Sequence, residues 1–104
     1  MNIRFYFEEI KKADKEQLEN YLKDKKLSRL THLLQHGNLE LAKFVVNAKY
    51  HRHHNVFLVR LGLKVVKHDL NAEEKSQNLL EAFDLALDDI IIQLRKLESL
   101  KHDK

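Results

Sequence analysis

From residue 79 onward, apolar side chains fall at Leu79, Leu80, Phe83, Leu87, Ile90, Ile91, Leu94 and Leu97. Steps of three and four place them on one face of a helix. A helix with one long apolar stripe gains its stability from packing that stripe against something else. The chain has 104 residues, so the cover must come from a second layer of the same small domain. Ser76 or Asn78 is the expected cap of this helix, and fraying is expected from about Lys101.

The remaining segments supply that layer. Ile3, Phe5 and Phe7 alternate with Arg4, Tyr6 and Glu8, the period of a half-buried strand. Residues 39–50 alternate too, with Ala42, Phe44, Val46, Ala48 and Tyr50 on one face and Lys43, Asn47 and Lys49 on the other. Val56 to Leu61 reads as a third strand, with Phe57, Val59 and Leu61 inward and Arg60 outward. Gly62 then suggests a bulge or tight turn, and residues 64–70 a fourth strand.

Between the first two strands lies another helix. Asp14 is its expected N-cap, with Gln17 completing a capping box. Its stripe starts with Leu18, Tyr21 and Leu22. It slips by about 100° to Leu27, Leu30, Leu33 and Leu34, which predicts a kink, bulge or break near Lys25 and Lys26. Gly37 is the expected terminator. The order is β-α-β-β-β-α, an α+β domain with both helices on one face of a four-stranded sheet. With no Pro and two Gly, no linker divides it, and residues 1–104 are expected to form one domain.

Composition excludes several functions. There is no Cys, hence no disulfide framework, thiol nucleophile or thiolate metal site. The charged start MNIRFYFEEIKK does not resemble a signal peptide. No apolar run approaches the about 20 residues that cross a bilayer. A cytoplasmic setting without membrane contact follows as an expectation. No Gly-rich phosphate loop, Ser-His-Asp arrangement or HExxH stretch occurs. A non-enzyme with no cofactor and no small-molecule substrate is therefore expected. The net charge is +3, and residues 38–70 are the most basic part at +4, which suits a polyanionic partner.

In the second helix, Asn78-Leu79-Leu80-Glu81-Ala82-Phe83-Asp84 is followed by Ile92-Gln93-Leu94-Arg95-Lys96. In the first, Leu18, Tyr21 and Leu22 precede Lys23, Lys25, Lys26 and Arg29. The chain thereby resembles the ribosome hibernation-promoting factors, also called ribosome-associated inhibitors or sigma-54 modulation proteins. The resemblance spans nearly the whole chain. That family typically shows Asp-(Met/Leu)-Tyr-x-Ala-Ile-Asp and then Gln-Leu-x-Lys. Here Leu80 replaces the usual Tyr. Asp89, Ile92 and Glu98 stand at positions that are often basic, and the first helix carries one extra residue. The resemblance implies a fold like that of a double-stranded RNA-binding domain, in a short form lacking a dimerisation domain. It also implies binding to the small ribosomal subunit, in the decoding channel, with inhibition of translation.

Four groups of residues are candidates for function. Lys23, Lys25, Lys26 and Arg29, joined by Arg95, Lys96 and Lys101, are expected to clamp rRNA phosphates, a role that needs cations at suitable spacing and no sequence readout. A solvated helix face is the plain alternative. Arg4, Tyr6, Lys43, Asn47, Lys49 and Arg60 share the polar sheet face, which makes an RNA platform with one aromatic or an ordinary open face. His51, His53 and His54, with Tyr50 and Arg52, form a loop. Arg52 opposes a cation there, so no metal is expected. Glu81, Asp84, Asp88 and Asp89 are expected on the solvated side of the second helix. Ile92, opposite the core stripe, raises the rival of a protein–protein interaction module, together with Leu100. A monomer is expected, with a sheet-edge homodimer as the alternative.

Overall fold

The computed structural model describes residues 1–34, 41–65 and 67–102, with backbone alone from residue 98. Strand β1 spans Asn2–Glu8, β2 Lys43–His51, β3 Val56–Val65 and β4 His68–Ser76. They form one sheet in the order β1-β2-β3-β4. β1 and β2 run parallel, which requires a crossover, and the first helical region supplies it. The other neighbours are antiparallel. That helical region is α1 (Lys12–Tyr21), a π-helical segment (Leu22–Lys26) and α2 (Leu27–Leu33) in direct succession. Helix α3 spans Leu79–His102. The α+β class, the element order and the placement of both helical layers on one sheet face are as expected from the periodicities.

The core lies between sheet and helices. Phe44, Val46, Val59, Leu61 and Leu63 meet Leu18, Leu22, Leu30, Phe83, Leu87, Ile90 and Ile91, all essentially inaccessible. The slip in the first helix is resolved by the π-helical segment. The Leu27 N–H donates to the Leu22 carbonyl, one residue further back than in an α-helix. Absorbing one extra residue rotates the following stripe back by about 100°. Leu30 and Leu34 are therefore buried on the same side as Leu18 and Leu22.

Four boundaries differ from the sequence expectations. Helix α1 starts at Lys12 after Lys11, whose side chain makes no capping bond, so Asp14 sits in the first turn and is not the cap. The cause lies upstream: Glu9 adopts a φ of 59°, and Ile10 is buried, which brings the chain to the helix early. β2 begins at Lys43, and Leu41 is 70% exposed, because the alternation does not extend to it. Gly62 makes no bulge or turn. It stays in register, opposite Val45 and Asn71, because the alternation Val59, Leu61, Leu63 runs straight through it. The reversal comes instead beside Lys67, with a φ of 72°, and β4 is therefore His68–Ser76 and not 64–70. At the start of α3 the expected cap is present: Asn78 Oδ1 accepts the Glu81 N–H at 3.2 Å. Gly37 lies outside the described residues. No described helix is long and apolar enough to cross a membrane.

Candidate nucleic-acid interface

The π-helical segment turns the polar side of the first helical region toward α3. Tyr21 donates its hydroxyl to Asp84 Oδ2 at 2.6 Å. Lys26 Nζ lies 3.5 Å from Asp84 Oδ1 and 5.5 Å from the centre of the Tyr21 ring. The Tyr21 ring also meets Phe83 edge-on. Burial pushes the Tyr21 phenol above its ordinary pKa, and the hydrogen bond and charge of Asp84 add to this. Burial acts to lower the Lys26 pKa, but the charges and hydrogen bonds of Asp84 and Tyr21 together outweigh it, and the ammonium is held above its usual range. One turn on, Arg29 Nη1 stands 3.8 Å from Asp88 Oδ1.

This seam overturns one expectation. Asp84 is not on a solvated outer face, since it answers Tyr21 and Lys26 across the helix interface, whereas Asp88 stays exposed as expected and pairs with Arg29 at the solvent edge. Asp89 packs toward β4, where its hydrogen bond to Glu74 raises the Glu74 pKa, with partial burial and charge repulsion adding to the shift. Of that acidic group Glu81 is exposed and forms no ion pair with another described residue.

The expected phosphate clamps are therefore unequal. Lys26 and Arg29 are engaged by carboxylates. Lys23, Lys25, Arg95 and Lys96 are exposed and form no ion pair with another described residue. Arg29 and Arg95 share a shallow hollow of about 420 Å³ with Ser28, His32 and Leu33. Three basic side chains thus come together from α2 and α3. His32 was missed by sequence reasoning, although its position three residues after Arg29 on a helix put it on the same side. The side chain of Lys101 lies outside the described residues.

On the opposite side of the molecule the sheet is uncovered. Tyr6, Asn47, Arg60 and Glu73 stand side by side across all four strands. Tyr6 is 51% exposed. Lys49 Nζ lies 3.5 Å from Glu8, and Arg60 Nη2 lies 3.4 Å from Glu73. Arg4 and Lys43 complete the group expected from the sequence. Lys64 and Lys75 join them, hidden until the strand ends were known.

The His stretch is a hairpin end. His51 closes β2, and residues 52–55 turn, with Asn55 at a φ of 51° accepting the Tyr50 hydroxyl. Arg52 reaches Glu9 at 3.2 Å. Among the described residues no three His, Asp or Glu side chains converge as metal ligands.

Residues 11–101 match the sequence model of the sigma 54 modulation protein / S30EA ribosomal protein family. The chain belongs to that family. Two solved structures agree with its fold. One is the N-terminal domain of Thermus thermophilus protein Y, with a TM-score of 0.75 at 19% identity over 93% of this chain and 99% of that one. The other is a ribosomal subunit interface protein from Coxiella burnetii, with a TM-score of 0.67 at 18% identity over 95% of this chain and 99% of that one. No curated protein matches the sequence. The hibernation-factor resemblance is thus confirmed at the level of family and fold. Within it, the Asn78–Asp84 segment occupies the cap and first turns of α3. Ala82 and Phe83 face the core, and Asp84 meets Tyr21.

Proposed function

We propose that this protein binds the small ribosomal subunit, occupies its decoding channel and idles translation by occlusion, as a monomer in the cytoplasm. The observation that carries this reading is the family match over residues 11–101, nearly the whole domain. The action is binding without catalysis. The exposed cations Lys23, Lys25, Arg95 and Lys96 hold rRNA phosphates, and Lys26, Arg29 and Lys101 assist. Phosphate contact needs positive donors on a rigid support, and the packed α2–α3 pair provides one.

The test is co-sedimentation of the purified chain with purified subunits over a salt series. The expected result is saturable pelleting with the small subunit that falls steeply as salt rises. Charge reversal at Lys23, Lys25, Arg95 and Lys96 should weaken it and flatten the slope. Unchanged binding in that variant would reject the helix-face assignment.

One observation favours a different reading. Ile92 is 50% exposed and Leu85 41% exposed, seven residues apart on the same side of α3. A protein partner docking there would give association that survives nuclease and high salt, and that Ile92→Lys abolishes.

A further inference from the structure

The open face of the sheet carries Arg4, Lys43, Lys49, Arg60, Lys64 and Lys75 against Glu8, Asp69 and Glu73. Its excess of three positive charges equals the net +3 of the entire chain. The helical surface is balanced: residues 12–33 and 79–102 together hold nine Lys or Arg and nine Asp or Glu. A polyanion approaching this protein therefore meets its net positive field on the sheet side.

The same face has relief suited to a nucleic-acid strand. A concavity of about 620 Å³ is lined by Tyr6, Asn47, Lys49, His51, Leu58 and Arg60. The phenol ring offers a stacking surface, the Asn47 amide a donor and an acceptor, and Arg60 a planar cation. The Nε2 atom of His51 is buried and meets no hydrogen-bonding partner among the described residues. A second hollow of about 270 Å³ opens over Gly62, where the absence of a side chain lowers the floor between Lys43, Lys64 and Asn71, with Asp69 also at its rim. Lys43 and Lys64 are direct cross-strand partners. Like charges facing each other in this way repel; Asp69, opposite Lys64 on β4, offsets part of this, and an anion between the two lysines removes the rest. The row of Lys43 lies four residues along β2 from that of Asn47, roughly 13 Å at the rise of a strand.

We infer that the uncovered sheet face is a second nucleic-acid site, which takes a single-stranded RNA segment with a base on Tyr6 and a phosphate between Lys43 and Lys64. This goes beyond the helix-face contacts proposed above and does not depend on them. A single strand is favoured over a duplex because only an unpaired base exposes its face to an aromatic side chain. A protein partner is disfavoured because interface centres are depleted of charged residues, and charges fill half of this face. The pairs Lys49–Glu8 and Arg60–Glu73 are exposed, so exchange of their carboxylates for phosphates is easy.

The test is fluorescence anisotropy with a labelled oligouridylate, and with its duplex with oligoadenylate, over a salt series. The variants are Tyr6→Ala and Lys43→Gln with Lys64→Gln. All three side chains are exposed, and circular dichroism of each variant confirms folding. Salt-sensitive binding of the single strand in preference to the duplex is expected. Tyr6→Ala should weaken it roughly five- to 150-fold, the range for losing one stacked base. The double Gln variant should reduce the salt slope by roughly 0.7 per cation removed. Absence of single-strand binding at low salt, equal binding of the duplex, or unchanged affinity in both variants would overturn the inference. Small-subunit pelleting is a separate assay, so loss of the ribosome reading and loss of this one are distinguishable.

Discussion

Tyr21 shows how much one hydroxyl can organise. It was legible as part of an apolar stripe, but a half-buried phenol seeks a hydrogen-bond acceptor, and Asp84 is 63 residues away in sequence. Tyr21→Phe removes the only hydrogen bond donated to that carboxylate among the described residues, and should cost about 1.5 kcal/mol in denaturant unfolding. The raised phenol pKa makes a second prediction. The neutral phenol is favoured in the folded state, so this stabilisation is present below the ordinary value of 10.0 and is lost as pH rises through the higher folded value. Ultraviolet titration should show Tyr21 ionising above 10.0, and Asp84→Asn should bring it down, since burial would still raise it while Lys26 acts to lower it. Glu74 behaves likewise from a lower starting point. Its folded pKa lies above 4.5 because of Asp89, so stability declines as pH rises from 4.5 through the folded value. Glu74→Gln should flatten that decline and leave the protein more stable at neutral pH. Gly62 is a third case. An added Cβ would meet only Asn71 Oδ1, at an ordinary 3.5 Å, so Gly62→Ala should stabilise by roughly 0.5–1 kcal/mol through reduced chain entropy.

At the level of elements, the π-helical segment is the feature that the sequence announced without specifying. The slipped stripe required the helix to lose about 100° near Lys25 and Lys26, but a kink, a break and a π turn all satisfy that requirement. Packing chose the π turn because it keeps Leu18, Leu22, Leu30 and Leu34 on one surface without interrupting the helix. Deleting the exposed Lys25 should convert the segment to a regular α-helix with the stripe intact. Cooperative unfolding should persist, with stability changed by less than about 1.5 kcal/mol. Inserting an Ala after Lys25 should instead rotate α2 by another 100° and cost about 3 kcal/mol or more, because a buried Leu is carried off the core. Equal effects of deletion and insertion in thermal melts would show that the π turn is not an absorbed extra residue.

Across the whole molecule, charge is sorted by layer. The helices are balanced and partly self-neutralised through Lys26–Asp84 and Arg29–Asp88, while the sheet face keeps the positive excess. Carboxylates at these sites compete with phosphate for the same cations. If the helices face rRNA, Asp84→Asn with Asp88→Asn should tighten small-subunit binding and steepen its salt dependence, since two cations regain free valence. Weaker or unchanged pelleting would mean that α2 and α3 do not carry the contact.

The sequence by itself determined the kind and order of the elements and which side of each is apolar. Strand and helix periods are local properties, and the stripes of β1, β2, β3 and α3 all proved to face the core. It also placed Tyr6, Asn47 and Arg60 on one polar face, since alternation fixes sidedness wherever strand limits are approximately right. The tertiary structure alone decided the partners: Asp84 for Tyr21 and Lys26, Asp88 for Arg29, Glu74 for Asp89, and Lys64 opposite Lys43. It also decided that Gly62 continues β3 instead of ending it. The reason is physical. Periodicity records burial one element at a time, whereas an ion pair, a register or a hollow depends on distances between elements that only packing sets.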